Sequence, residues 1–326
     1  MRCLVTGASG FVGSHLVDAL VSRGEEVTAL VRPSSNRRWL AGQPVRVLAG
    51  RLDDPAFLED AVRGQELVFH VAGVITALTE RDYFRTNVGG TRRVVDACRR
   101  AAPNLKRLLY VSSLAATGPA TDVPAVDETT PCRPVSPYGA SKLGGEQVVM
   151  GAAGDLPVTA VRPPVVVGPR DQALLPFFQA AKRGILAALG GRKWLSLVFI
   201  DDLVEGILRA ATTPRAAGQV YFIAGRDVYD FDRISLAIAE ATGSRRTVRV
   251  RVPMMALRAA AAVMQATAPL AGITPMLTRY KIRELSQVRW VCTAAKAERE
   301  LGFVPRVSLK EGLAGTARWY RDEGLL

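Results

Sequence analysis

The stretch Ser136-Pro-Tyr-Gly-Ala-Ser-Lys142 sets a phenol and an ammonium four residues apart. Ser136 suits an N-cap and Pro137 the first helical position, so a helix opens here with Tyr138 and Lys142 on one face. A neighbouring cation and the positive end of a helix both favour the phenolate. The cation alone moves a pKa by roughly 1–3 units, which brings a tyrosine from about 10 towards neutrality. A group poised there to give and take a proton is what interconversion of a carbonyl and an alcohol needs. Tyr-x-x-x-Lys also occurs on ordinary amphipathic helices, so its weight depends on the elements that position it.

The chain has 326 residues, 48% of them hydrophobic and 22% charged, which is enough for one large domain or a domain with a smaller appendage. Its net charge of +13 comes mostly from arginine, for only seven of the 43 basic residues are lysines. The arginines are scattered, without the aromatic interleaving of a nucleic-acid stripe, so no nucleic-acid partner is expected. An acidic substrate or an anionic membrane surface stays open. Cys3, Cys98, Cys132 and Cys292 show no paired spacing, and His15 and His70 lie in apolar surroundings, so neither a disulfide framework nor a metal site is expected. The chain enters a strand-like run directly, and no apolar stretch reaches the roughly 18 residues that cross a bilayer. A soluble, cytoplasmic protein is the expectation.

Arg2 to Thr6 reads as a strand, Gly7-Ala-Ser-Gly10-Phe-Val-Gly13 as a tight turn, and the following residues to Ser22 as a helix closed by Gly24. Strand, glycine turn and helix together make a dinucleotide-binding fingerprint, with the pyrophosphate at the helix N-terminus. The second strand, Glu26 to Val31, ends at Arg32 rather than at an acid that would hold a ribose 2′-hydroxyl. With Ser34, Ser35, Arg37 and Arg38 close behind, that suits a 2′-phosphate, so NADP(H) is favoured and NAD(H) is the alternative. Further strands are expected at Val45–Leu48, Glu66–Val71, Lys106–Val111 and Val158–Arg162. Helices follow Asp54-Pro55 and run over residues 81–100 and 137–150. Strands and helices alternating in this way predict a doubly wound parallel sheet, which binds ligands at the carboxyl ends of its strands. Ala72-Gly73 would let a cofactor lie against one such end, and Ser113 sits at another, placed to meet Tyr138.

These motifs resemble the extended short-chain dehydrogenase/reductase family, the group of NAD(P)-dependent epimerases/dehydratases and 3β-hydroxysteroid dehydrogenases. The likeness rests on Thr6 to Gly13, His70-Val-Ala-Gly73, Asn87-Val-Gly-Gly-Thr91, Tyr110-Val-Ser-Ser113, Tyr138 to Lys142, Arg162-Pro163 with Gly168-Pro169, and Ile200-Asp-Asp-Leu203. It implies a Rossmann-type α/β fold with a smaller, mostly helical C-terminal substrate-binding part. It also implies a catalytic set of Ser113, Tyr138 and Lys142: Ser113 bonds the substrate oxygen, Tyr138 transfers the proton, and Lys142 holds the nicotinamide ribose and lowers the tyrosine pKa. Cofactor contacts are expected from Gly7, Ser9, Gly10, Phe11, Val12 and Gly13, from Arg32 and Arg37, and from Leu52 and Asp53. Ala72, Gly73, Ser112, Tyr138, Lys142, Pro163 and Val166 complete the set. The same likeness implies a homodimer through the helices over 81–100 and 137–150.

Departures from the family narrow the substrate. Leu114-Ala115 follow Ser113 where dehydratases carry an acidic pair, so water elimination is not expected. Val165 replaces the asparagine usual in sugar-nucleotide enzymes, and Leu195-Ser-Leu-Val198 offers no arginine for a diphosphate. Arg51 stands where the family places an adenine-contacting acid, for which Asp53 would compensate. The chain divides at 165/166 into a dinucleotide-binding domain, residues 1–165, and a substrate-binding part, residues 166–326, interleaved with the first. Around 253–290 lie Met254, Met255, Leu257, Ala259 to Met264, Leu270, Ile273, Met276 and Leu277, an adaptable apolar lid that would also suit peripheral contact with a membrane. Helices ending at Gly243 and Gly302, the latter capped by Thr293, and a Ser308/Glu311 capping box complete the chain.

The leading expectation is a reductase or dehydrogenase for a small apolar ketone or alcohol that is steroid-like, lipid or aryl. The rivals are a nucleotide-sugar 4-epimerase with tightly held NAD and a cofactor-sensing binding protein without turnover. The cations after the second strand predict a lower KM for NADPH than for NADH in steady-state assays, and a clear preference for NADH would overturn that reading.

Overall fold

The computed structural model describes residues 1–189, 191–244, 246–271 and 277–326. Of the apolar residues expected in the lid, Ile273, Met276 and the side chain of Leu270 lie outside what is described. Near-continuous apolar runs make the strands β1 (Arg2–Thr6), β2 (Glu26–Val31), β3 (Val45–Ala49), β4 (Leu67–His70), β5 (Arg107–Val111) and β6 (Val158–Arg162). Runs of this kind suit a parallel sheet covered on both faces. With β10 (Gln219–Phe222), which returns from the C-terminal half to lie beside β6, they form one parallel sheet in the order β10-β6-β5-β4-β1-β2-β3. The order reverses beside β1, so the crevice above β1 and β4 is the ligand position for this architecture.

Alternate strand residues feed two helical layers. Cys3 and Val5 join Leu16 and Leu20 of α1 (Phe11–Ser22) and Ile207 of α8 (Ile200–Thr212) on one face. Leu4, Val68 and Leu108 join Leu58 of α2 (Pro55–Val62), Val94 and Cys98 of α4 (Thr91–Ala101) and Val149 of α6 (Pro137–Met150) on the other. Asp54 caps α2 through the Phe57 N–H. The β1–α1 turn is set by close approach. A Cβ on Gly7, whose φ is +71°, would lie 2.8 Å from the Ala72 Cα, and one on Gly13 would lie 2.2 Å from the Gly7 carbonyl oxygen. Only glycine lets the turn fold back on itself against the end of β4.

The segment expected as one helix over 81–100 is instead three pieces: α3 (Glu80–Phe84), a wider π-turn over Arg85–Gly90, and α4. The cause is Asn87. Its side chain accepts from the Val74 N–H at 2.8 Å, and donates to the Val74 carbonyl at 3.0 Å and the Ser141 hydroxyl at 2.9 Å. Holding that side chain in place shifts the backbone register by one residue.

Past residue 167 the chain builds its second core. β7 (Val165–Val167) pairs with β9 (Trp194–Phe199), which also pairs with β11 (Val228–Asp230) and β13 (Arg289–Trp290). β8 (Ile185–Leu189) pairs with β12 (Val248–Val252). Phe178 of α7 (Leu175–Lys182), Ile238 of α9 (Phe231–Thr242) and Leu313 and Tyr320 of α13 (Leu309–Asp322) pack together, and the Tyr320 hydroxyl donates to the Asp171 carbonyl at 2.7 Å. Gly243 ends α9 in the left-handed conformation, and Ser308 and Glu311 form the expected capping box. α10 (Met254–Ala271), α11 (Arg279–Ser286), the four-residue α5 (Leu114–Thr117) and α12 (Ala295–Leu301) complete the elements. α12 is preceded by Ala294 rather than capped by Thr293, whose hydroxyl instead accepts from the Ala295 N–H.

A buried clamp joins β1, β4 and α4: His70 Nδ1 lies 2.8 Å from the Thr6 hydroxyl and Nε2 lies 2.9 Å from the Thr91 hydroxyl. Burial lowers the His70 pKa from 6.5 to about 3, so the native protein keeps the ring neutral where an unfolded chain protonates it. The stability this confers is complete above pH 6.5 and is lost as pH falls towards 3. The expected slope is on the order of a few kcal/mol over that window. His70→Asn should flatten the fall of the denaturation midpoint on acidification, and unchanged slopes would contradict the clamp.

Candidate active site

α6 starts where its sequence predicts. The Ser136 hydroxyl accepts from the Gly139 N–H at 3.1 Å and donates to Glu284 Oε1 at 2.6 Å, so the cap also ties α6 to α11. In the first turn, the Tyr138 ring stands 6.3 Å from the ring of Tyr83, which is itself 6.3 Å from that of Tyr280. With Ala77 and Val74 these rings form an apolar wall. Ser113 follows β5, caps α5 by accepting from the Ala115 N–H at 3.1 Å, and hydrogen-bonds the Tyr138 phenol. One turn further along α6, the buried Lys142 amine donates to the Val111 carbonyl at 2.6 Å and lies 4.3 Å over the Tyr110 ring. The three predicted catalytic side chains thus come together at the carboxyl end of β5.

Their protonation departs from the expectation. Burial pushes the Tyr138 phenol up to about 12; the Ser113 hydrogen bond draws it partly back and the charge of Glu284 raises it. Burial also pulls Lys142 down to about 7, opposed by the nearby Glu146 carboxylate. Desolvation of both groups therefore outweighs the attraction expected between an ammonium and a phenolate. At neutral pH Tyr138 is a proton donor.

Several side chains that hold this arrangement have no role in the sequence analysis. Glu146 is one turn beyond Lys142 on α6 and meets Arg162, from the end of β6, in a two-point ion pair with Nε–Oε2 at 2.9 Å. Both are buried, and Arg162 also donates to the Cys132 sulfur at 3.4 Å. The i,i+4 spacing from Lys142 was the available signal for Glu146. Asn87 stood inside a quoted motif, but its partners Val74 and Ser141 are distant in sequence. For Glu284, 148 residues from Ser136, no local signal exists.

The cofactor-side residues surround the β1–β4 crevice. Gly7, Ser9, Gly10, Phe11 and Val12 form its partly exposed rim, and Gly13 is buried beneath them. α1 starts at Phe11, and its N-cap, Gly10, offers no side chain to the first-turn N–H groups. The N–H groups of its first turn, left free by the glycine turn, fit a pyrophosphate. The Ala72 N–H donates to the Thr6 hydroxyl at 3.2 Å, and a methyl on Gly73 would lie 3.0 Å from Asn87 Oδ1 and 3.6 Å from the Lys142 amine. The buried Ser112 hydroxyl has no partner among the described residues. Pro163 accepts the Leu114 N–H through its carbonyl, and Val166 is half-buried on β7. Residues and spacing fit a dinucleotide.

Arg32 and Arg37 are exposed after β2. Arg38 is not with them: its guanidinium stacks 3.7 Å over Trp39 and pairs with Glu323 at 3.0 Å. Leu52 packs beneath Gly90, and the Asp53 carboxylate is gripped by Arg51 at 2.8–3.2 Å, which holds it below the usual carboxylate range. Asp202 of the Asp-Asp motif binds the N–H groups of Arg306 and Val307, a structural tie between α8 and the C-terminal segment.

The model of the NAD dependent epimerase/dehydratase family matches residues 3–224. Ceramide reductase of Caulobacter vibrioides is 31% identical over 323 residues, covering 99% of this chain and 95% of that protein. The 2-alkyl-3-oxoalkanoate reductase of Stenotrophomonas maltophilia is 33% identical, covering 96% and 97%. Among solved structures, UDP-glucose 4-epimerase of Thermotoga maritima superposes with a TM-score of 0.82 at 24% identity, covering 99% of both chains, a likeness of fold.

Removing one member of the buried Glu146–Arg162 pair strands the other's charge. Glu146→Ala should cost about 3–5 kcal/mol in urea denaturation, while joint replacement of both by leucine should recover most of it. Equal losses in the single and double variants would contradict the pairing.

Proposed function

Because the chain belongs to the NAD dependent epimerase/dehydratase family and is an NAD(P)-dependent oxidoreductase of the extended short-chain type, we propose that it reduces a ketone on an apolar body to the secondary alcohol. NADPH is the preferred cofactor in this reading, and the body is lipid-like, steroid-like or aryl. The observation that carries it is the place of Tyr138, beside Ser113 and packed against Tyr83, Ala77 and Tyr280, where burial favours the protonated phenol. The rings of Tyr83 and Tyr280 with Ala77 and Val74 give the substrate side beside the tyrosine an aromatic and aliphatic surface suited to an apolar body. The reductase names of the relatives agree with it.

The glycine turn and the N-terminus of α1 would hold the pyrophosphate, Arg32 and Arg37 the 2′-phosphate, and Lys142 the nicotinamide ribose. The bound reduced cofactor supplies the hydride. Ser113 holds the ketone oxygen, and Tyr138 gives that oxygen its proton as the carbonyl carbon gains hydride, so the ketone leaves as the alcohol. The buried wall keeps water from the reacting carbon. In this reading residues 1–165 hold the cofactor, residues 166–326 complete the substrate side, and two copies associate through the helical segments over 81–100 and 137–150.

Purified protein given NADPH should reduce members of a panel of steroids, β-keto acyl compounds and aryl ketones. Tyr138→Phe should lower turnover by about 10²–10⁴-fold while still binding NADPH. Wild-type turnover in that variant would remove Tyr138 from the mechanism. Interconversion of UDP-hexoses by protein retaining oxidised cofactor would replace the reading with an epimerase, and no hydride transfer to any ketone would leave a binding protein.

A further inference from the structure

α10 is an eighteen-residue helix whose single charged side chain is Arg258. An apolar helix of this length is ordinarily buried. Here only Ala261 and Ala268 are buried among its described side chains, while Met255, Val263 and Met264 are 75%, 63% and 39% exposed. Its principal neighbour is α11, and the two border an open groove of about 600 Å³ lined by Arg258, Arg283, Ala262, Gln265 and Arg279, the last also bonded to the Tyr280 hydroxyl. The preceding strand, β12, adds Val248 at 68% and Val250 at 43% exposure. Between Glu240 and Glu284 the chain carries eight basic residues and no acidic one.

We propose that α10, with β12, docks this protein on an anionic phospholipid surface, its methionine and valine side chains entering the acyl boundary and the groove arginines meeting lipid phosphates. Charge decides the occupant. A second copy placed symmetrically on this face would set the same cationic stretch against itself. A negatively charged bilayer supplies both the apolar phase and the counter-charge that α10 and its arginines require. No helix among the described residues is long and apolar enough to cross a membrane, so the contact is one of lying on the surface. Docking there would bring α11 beside the lipid phase, and α11 carries Tyr280 of the wall around Tyr138.

The test is flotation of the full chain with vesicles of phosphatidylcholine alone or with about 30% phosphatidylglycerol. The expected result is at least about tenfold stronger binding to the anionic vesicles. Met255→Glu with Val263→Glu should abolish binding to both vesicles. Arg258→Glu with Arg283→Glu should bring binding to the anionic vesicles down to the level on phosphatidylcholine. Both variants change exposed or groove positions, and thermal melts matching wild type confirm that they are folded. Binding unaffected by the Met255/Val263 pair, or no flotation of wild type with either vesicle, would overturn the proposal. So would a solution mass that halves in the Met255/Val263 variant without vesicle binding by wild type, which would assign the face to a second copy.

Discussion

Lys142 is a buried amine, and the site is built around that constraint. Its firm hydrogen bond is to the Val111 carbonyl, at the end of the strand whose next residues include Ser113. Burial draws the amine towards neutrality and the carboxylate of Glu146, one turn away, draws it back. Glu146 in turn is held by Arg162, so three ionisable groups share one dry interior between α6 and β6. A buried charge is tolerated only where partners are fixed, and here they are fixed by the carboxyl ends of two neighbouring strands. The same dryness keeps the Tyr138 phenol protonated, which is why proton donation to oxygen is the chemistry the site favours.

Positioning is distributed over elements far apart in the chain. Asn87 holds Val74 after β4 and Ser141 on α6, and the π-turn is the backbone shape that lets one side chain reach both. Glu284 of α11 grips the cap of α6, and Tyr280 of the same short helix packs on Tyr83 beside the reacting phenol. Segments far apart in the chain, α3, α6 and α11, therefore meet at Tyr138. The strand Gln219–Phe222 rejoins the main sheet beside β6, so the C-terminal half contributes to that parallel sheet itself.

Much of this was legible in the sequence, for a physical reason. Strands buried on both faces read as apolar runs, and caps such as Ser136, Asp54 and the Ser308/Glu311 box act within three residues of themselves. Gly7 and Gly13 announce a turn because nothing larger fits. What stayed hidden was set by distant partners. The interruption at residues 85–90 depends on Val74 and Ser141, and Arg38 left the expected phosphate-binding group because Trp39 and Glu323 hold it. Reading Tyr138 and Lys142 as residues of one helix placed both on α6. Their depth, which reverses the predicted direction for the tyrosine, is a property of the whole fold.

The decisive measurement is the titration of Lys142 itself, by proton–carbon correlation spectra of protein labelled at the lysine ε-carbons. Lys142→Arg assigns its resonance among the seven lysines. The account predicts that this one resonance titrates near pH 7. A Lys142 resonance that titrates with the exposed lysines, at about 10.4, would contradict a dry amine at the heart of the site.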